Sequence, residues 1–267
     1  MTDGSESTTE RPEVAIITGG GRGIGAATVR RLARARVTAG SGRPLHVIVN
    51  YAANAPAAEA VAEEINAMGA VVGATAVQAD VSSEPDVERL FAAADAIGPV
   101  TLLVNNAAVV FEIGRFVDLD IERLERTWSV NITGAFLCAR EAVRRMSTER
   151  GGDGGAIVNV SSRAASFGSP NEFIDYAASK GALDTMTTGL ATEVAAQGIR
   201  VNAVRPGLID TEIHAAAGQP DRVAALASNV PMQRGGKAAE VANLIVWLLS
   251  DEASYMTGAL VDVGGGR

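Results

Sequence analysis

Cysteine occurs once in the 267 residues, at Cys138; histidine occurs twice, at His46 and His214, and lysine twice, at Lys180 and Lys237. A lone cysteine excludes an intrachain disulfide and a thiolate metal cluster, and the two histidines stand too far apart for histidine–zinc spacings. Positive charge is also short: 23 Lys+Arg face 31 Asp+Glu, a formal charge of −8 and a sequence pI near 4.9. That balance argues against nucleic acid or an anionic membrane surface as the main partner. No apolar run is long enough to span a bilayer; the longest, residues 99–111, is interrupted by Asn105 and Asn106. The opening MTDGSESTTERPE has neither a basic start nor an apolar core, so it does not read as a secretory leader. With a single cysteine, the expected compartment is a reducing cytoplasm.

What is present is globular: 47% hydrophobic and 20% charged residues. Residues 1–12 read as a disordered tail ending at Pro12, and residues 13–267 as one domain without an internal linker. Short β-branched runs at 14–18, 45–50, 71–78, 100–105, 156–161, 199–204 and 260–263 predict seven strands, mostly apolar throughout, as strands covered on both faces should be. Helical stretches fall between them, at about 24–36, 55–68, 85–96, 121–149, 176–197 and 239–249. This alternation predicts an α/β, doubly wound, mainly parallel seven-stranded sheet with helices on both faces. Residues 40–44 (GSGRP) read as a small loop insertion.

The first strand runs straight into Thr18-Gly19-Gly20-Gly21-Arg22-Gly23-Ile24-Gly25 and then a helix. Glycines at such a junction allow a tight turn and let a pyrophosphate approach the amides of the helix N-terminus. Tyr176 and Lys180 then form Tyr-x-x-x-Lys, in a chain that otherwise uses arginine. At i and i+4 they share a helix face. A free phenol, with a pKa near 10, exchanges protons poorly at neutral pH, and a nearby cation lowers that value. Tyr176 could then protonate a carbonyl oxygen or deprotonate an alcohol. Neither Ser161 nor Ser162, at the end of the fifth strand, has a histidine neighbour in sequence, which disfavours a serine-hydrolase triad.

The glycine spacing and the Tyr-x-x-x-Lys motif make the sequence resemble the short-chain dehydrogenase/reductase family, whose loop reads Thr-Gly-x-x-x-Gly-x-Gly; the resemblance runs from Val14 to the C-terminus. It implies a Rossmann-like fold and a nicotinamide cofactor held by Gly19, Gly21, Gly23, Ile24 and Gly25. The second strand ends in Asn50-Tyr51-Ala52, with Tyr51 where an NAD-selecting acid is expected. Between Val14 and Ala58 there is no Asp or Glu, but there are six arginines. Nothing there repels a 2′-phosphate, and Arg22, in the loop itself, is the guanidinium placed to pair with one. Arg30, Arg31 and Arg34 read as the solvated face of the first helix. NADP(H) is therefore expected over NAD(H), which remains the alternative.

The resemblance also implies that Asp80 and Val81 bind the adenine, although the polar residues after them serve equally as the start of a helix. Asn105-Asn106-Ala107-Ala108 resembles the family's Asn-Asn-Ala-Gly, with Ala108 departing from it. Lys180 would bond the nicotinamide ribose, and Ser162, 14 residues before Tyr176, would orient the carbonyl; Ser161 competes for that role. Asn131 matches a fourth catalytic position, at a helix kink whose carbonyl holds a water leading to Lys180. Arg205-Pro206-Gly207-Leu208-Ile209-Asp210-Thr211 resembles Pro-Gly-x-x-x-Thr, so Pro206 and Gly207 border the cofactor and Ile209 and Thr211 hold its carboxamide. Residues 212–230 read as a mobile substrate lid, His214 as a surface or substrate-contacting residue, and Cys138 as a small core or interface residue without chemistry.

These readings describe an NADP(H)-dependent oxidoreductase interconverting a carbonyl and a secondary alcohol on a small molecule, such as a 3-oxoacyl thioester, a sugar or a small ketone. The family implies a homotetramer, or a homodimer, with residues 121–149, 176–197 and 255–267 at interfaces. A silent nucleotide-binding regulator and a dehydratase or imine reductase on the same fold are the alternatives.

Overall fold

Seven strands lie side by side, all parallel, in the order 3-2-1-4-5-6-9. The protein is represented by a computed structural model that describes residues 11–39, 43–69 and 71–267. Most of the expected tail at 1–12, and residues 40–42 of the expected loop, fall outside them. The chain begins β1 (Glu13–Ile17), α1 (Gly23–Ala39), β2 (Leu45–Tyr51), α2 (Ala55–Asn66), β3 (Val72–Gln78), α3 (Glu84–Ile97) and β4 (Val100–Asn105). It continues through α4 (Ile121–Trp128), α5 (Ala135–Met146), β5 (Gly155–Val160), α6 (Ala164–Phe167), α7 (Ile174–Val194) and β6 (Ile199–Pro206). It closes with β7 (Ile209–Asp210), α8 (Ile213–Ala216), α9 (Arg222–Leu226), β8 (Gly236–Lys237), α10 (Ala238–Leu249) and β9 (Leu260–Val263).

Alternate residues of each strand feed opposite faces, because successive side chains point to opposite sides of a sheet. Ile17, Val49, Val104 and Val158 pack with Val29 and Leu32 of α1, Ile65 of α2 and Ile245 of α10. Ile16, Ile48, Leu103 and Ile157 pack with Leu90 and Phe91 of α3, Met146 of α5 and Val194 of α7. Each such fully buried side chain contributes about 1.5–3 kcal/mol. Caps set the helix starts: Asn54 Oδ1 accepts from Ala57 N at 3.2 Å, and Asp120 Oδ1 from Arg123 N at 2.7 Å.

The strand expectations hold to within a residue or two at each end. The helix expected over 121–149 does not. It is broken by a π-helical turn, Ser129–Gly134, and ends at Met146, before a 3-10 turn at Thr148–Arg150. Asn131 supplies one reason, since its amide bonds sideways to Val109 and Ser179 and draws the turn open. Gly134 supplies another: a Cβ there would sit 2.7 Å from Val81 Cγ2. The helix expected over 176–197 begins earlier, at Ile174, and gives way to a 3-10 turn after Val194. The short α6 and the β7–β8 pair were not anticipated, being only four and two residues long. The segment expected as a lid carries α8 and α9.

Strand order reverses beside β1, whose neighbours are β2 and β4. In an open α/β sheet this reversal opens a crevice at the carboxyl ends of the strands, where ligands bind.

Candidate active site

The crevice is built from its glycine loop. Gly19 takes φ +62° and Gly23 φ +50°, the left-handed region that glycine tolerates. Thr18 ties this loop to the end of β4: its Oγ1 accepts from Asn106 N at 2.9 Å and Ala107 N at 3.0 Å and donates to Val104 O at 3.2 Å. Asn106 Nδ2 donates to Thr18 O (2.9 Å) and Gly19 O (3.1 Å). Asn50 does the same from β2: Oδ1 accepts from Gly19 N at 3.3 Å, while Nδ2 donates to Ala79 O at 3.0 Å. The side chains of both asparagines thus hold the wall in place. Ala26 N is the first amide of α1 to find a main-chain acceptor, Arg22 O at 3.0 Å, so the amides ahead of it at Gly23 and Ile24 stay available at the cleft.

A cavity of about 510 Å³ runs from this loop past Tyr51, Ala52, Asp80 and Val81 to Ser162, Tyr176 and Lys180, and on to Pro206, Gly207, Ile209 and Thr211. Gly21, Arg22, Ala107 and Ala108 also line it. Gly25 and Asn131 stand back from it. A Cβ on Gly25 would collide with Gly19 O, so this glycine serves close packing behind the loop. Asn131 is buried in the π-helical turn.

At the β2–β3 end, burial raises the Asp80 carboxyl, but hydrogen bonds from Ser82 and Arg126 outweigh it and hold the group below the usual range. Arg22 is exposed on the cleft wall, and among the described residues its guanidinium has no hydrogen bond or ion pair. The arginines of α1 are engaged instead: Arg30 with Glu64 at 2.6 Å, Arg31 with Asn243 at 2.9 Å, and Arg36 with Glu13. These features fit a dinucleotide: open amides at a helix start, a cavity of suitable size and a free guanidinium beside Tyr51.

Ser162 and Tyr176 meet in the cleft, where a hydrogen bond from Ser162 lowers the phenol's pKa, but burial dominates and pushes it up to about 12. Ser161 is turned away, its Oγ donating to Lys180 O at 3.1 Å. Lys180 is 2% exposed. Its ammonium donates to Val160 O at 2.7 Å and lies 5.5 Å from the centroid of the Tyr176 ring. Burial lowers it to about 8, with Asp184 opposing. The expected drop in the tyrosine pKa is therefore absent here: the ammonium sits over the ring, and desolvation outweighs other influences on the hydroxyl. At neutral pH this arrangement keeps the phenol protonated, as a proton donor needs.

Sequence reasoning missed the clamp beside Tyr176. Arg123 Nε donates to Asp175 Oδ2 at 2.8 Å and Nη2 to Oδ1 at 3.0 Å, with Asp175 3% exposed. It ties the start of α4 to the first turn of α7; its only sequence signal was an acid one residue before the tyrosine. Also missed was a buried chain under the site, in which Asn105 Nδ2 donates to Asn159 Oδ1 (3.0 Å) and Asn159 Nδ2 to Thr187 Oγ1 (2.9 Å). His214 lines the cleft, its Nε2 bonded to Ile209 O at 2.8 Å. Cys138 is fully buried and its thiol is raised to about 12, so it is inert. Among the described residues no group of His, Cys, Asp or Glu could hold a metal ion, and no helix is long and apolar enough to cross a membrane.

A doubly wound sheet with a phosphate-type loop and a Ser–Tyr–Lys constellation at its switch point defines a class: nucleotide-dependent oxidoreductases. A family model described as enoyl-(acyl carrier protein) reductase matches residues 19–267. The chain belongs to the short-chain dehydrogenase/reductase family and is an oxidoreductase of it, a family that binds a nicotinamide cofactor and acts on small molecules. It is 54% identical to the uncharacterized oxidoreductase YgfF of Escherichia coli K12, over 95% of this chain and 99% of that protein. It is 37% identical to an NADPH-dependent aldehyde reductase-like protein, chloroplastic, of Arabidopsis thaliana, over 95% and 93%. The solved structure of a blue fluorescent protein from a metagenomic library, in complex with NADPH, superposes with a TM-score of 0.82 at 34% identity, covering 95% of this chain and 97% of that one.

Proposed function

We propose that this protein is a single-domain, NADPH-preferring reductase that interconverts an aldehyde or ketone carbonyl and the corresponding alcohol. The observation that carries the reading is the placement of Ser162, Tyr176 and Lys180, with the ammonium 5.5 Å from the ring centroid, in the cavity that also contains the glycine loop. A bound nicotinamide would supply the hydride in reduction and accept it in oxidation. Ser162 Oγ holds the carbonyl oxygen, and Tyr176 gives its proton to that oxygen as charge develops on it. The Lys180 ammonium stabilises the phenolate left behind and would bond the ribose of a bound cofactor. Main-chain groups at Ile209 and the Thr211 hydroxyl would hold the carboxamide, and the Asp80–Val81 segment would border the adenine. Arg22 would take the 2′-phosphate; the NADPH-dependent Arabidopsis relative and the NADPH complex of the metagenomic protein support that preference.

Exposed Phe116, Val117, Ile121 and Phe136, on and beside α4 and α5, favour assembly as a homotetramer through this face. A 3-oxoacyl thioester, a sugar and a small ketone or aldehyde remain the substrate leads, in a cytoplasmic setting. The test is oxidation of NADPH and of NADH, followed over aldehydes, ketones, 3-oxoacyl thioesters, an enoyl thioester and an imine. Turnover of carbonyls with NADPH is expected. Turnover confined to the enoyl thioester would favour carbon–carbon reduction, the activity in the matching model's description. Coenzyme binding without any turnover would overturn the enzyme reading.

A further inference from the structure

Five arginines line the cleft, and three are matched by acids: Arg126 by Asp80 at 3.0 Å, Arg163 by Asp262 at 2.6 Å, and Arg222 by Glu172 at 2.6 Å. Two guanidiniums have no acidic partner among the described residues, Arg22 in the glycine loop and Arg267, which lines the same cleft. Arg267 is nonetheless held in place. Its guanidinium lies over the Phe167 ring, 5.4 Å from the centroid; its main-chain oxygen accepts from Arg163 Nε at 3.0 Å, and its N–H reaches Gly264 O at 3.2 Å. Phe167 ends α6, the short helix that follows Ser162, and it lines the same cavity as Arg267, Ser162 and Tyr176. Phe173 lines the same cavity.

A guanidinium held over an aromatic face loses little freedom on binding and keeps its N–H donors for another partner. Oxyanions match that fork geometry, and in a chain of net charge −8 a guanidinium without an acidic partner is a local feature that draws an anion in. We propose that Arg267 is the anion-recognition residue of the substrate subsite. The preferred carbonyl compounds then carry a carboxylate or phosphate remote from the reacting carbon, with an apolar body beside Phe167 and Phe173.

This rests on the carbonyl-reductase reading above, and binding tests it separately from turnover. With NADPH present, calorimetry compares 4-(hydroxymethyl)benzoate, 4-(hydroxymethyl)phenyl phosphate and 4-methylbenzyl alcohol. The two anions are expected to bind at least about tenfold more tightly than the neutral alcohol, the scale of one charge-assisted pair. Arg267→Gln should abolish that preference and Arg267→Lys restore part of it; the matched aldehydes should follow the same order in kcat/KM. Equal binding of anions and neutral alcohol by the wild type, or a preference that survives in Arg267→Gln, overturns the assignment. Preference without aldehyde turnover would sink the reductase reading and leave the anion subsite standing. Turnover without preference would do the reverse.

Discussion

Asn131 and Val109 exchange two hydrogen bonds: Val109 N donates to Asn131 Oδ1 at 2.8 Å, and Asn131 Nδ2 donates back to Val109 O at 2.9 Å. The same Nδ2 reaches Ser179 Oγ at 3.1 Å, one residue before Lys180. A buried side chain in a π-helical turn therefore pins the strand-end loop, which lines the cleft at Val109 and Val110, to the catalytic helix. Asn131→Ala leaves the part-buried N–H and C=O of Val109 without this partner, and at about 1–3 kcal/mol per unsatisfied group the loss should reach about 2–6 kcal/mol. Urea unfolding at neutral pH measures it, and turnover of the folded fraction should fall as well. An Asn131→Ala protein as stable as wild type would show that the exchange does not hold the loop.

Tyr176→Phe keeps the ring under the Lys180 ammonium and removes only the hydroxyl that Ser162 bonds. NADPH affinity should be unchanged while turnover falls by at least about a hundredfold, the scale of a lost general acid. Fluorescence titration and steady-state rates separate the two quantities. A variant that reduces carbonyls at near wild-type rates would remove Tyr176 from the proton-transfer role.

Arg22 is the free guanidinium at the β2 end of the cleft, where no carboxylate stands on the strand terminus. Arg22→Ala should weaken NADPH binding by roughly ten- to a hundredfold, as expected for loss of a hydrogen bond to a charged group, and leave NADH nearly unaffected. Calorimetry with both coenzymes reads the ratio. Equal wild-type affinities would remove the 2′-phosphate from the argument.

The parallel sheet was legible because its strands are continuous apolar runs, and the loop because its glycines sit at the first strand–helix junction. Tyr176 and Lys180 stood out because tyrosine and lysine are so scarce here. What stayed hidden depends on contacts between distant segments. A kink at Asn131 was implied by the family resemblance, but its hydrogen-bond partners Val109 and Ser179, 22 and 48 residues away, were not. The Arg123–Asp175 clamp likewise joins residues 52 apart. The direction of the Tyr176 shift was misjudged for a related reason: helical spacing shows which residues are neighbours, but the desolvation that dominates comes from the whole cavity. The preference for Ser162 over Ser161 came from the resemblance; the bond from Ser161 Oγ to Lys180 O on α7 was not legible in the sequence.

Lys180 gives the sharpest separation of stability from activity. Its ordinary value of 10.5 falls to about 8 in the folded protein, because burial penalises the ammonium more than Asp184 favours it. Between those two values the unfolded chain binds more protons than the folded one, so this group's contribution to stability rises with pH across that window. Below about 8 the group is charged in both states and its burial cost is constant; above 10.5 it is neutral in both and the cost is gone. Lys180→Met removes the burial cost and forfeits the bond to Val160 O, so at pH 7 it should be more stable than wild type by about 1–3 kcal/mol. That advantage should shrink on going to pH 10, while carbonyl reduction is lost at every pH. Wild-type reduction should itself decline as the pH rises through about 8 and the ammonium that supports the phenolate is discharged. Urea unfolding of both proteins at pH 7 and pH 10 measures the first effect, and the pH profile of kcat/KM the second. A Lys180→Met protein less stable than wild type at pH 7 would mean that the ammonium is welcome in its site, and that its retention needs no catalytic explanation.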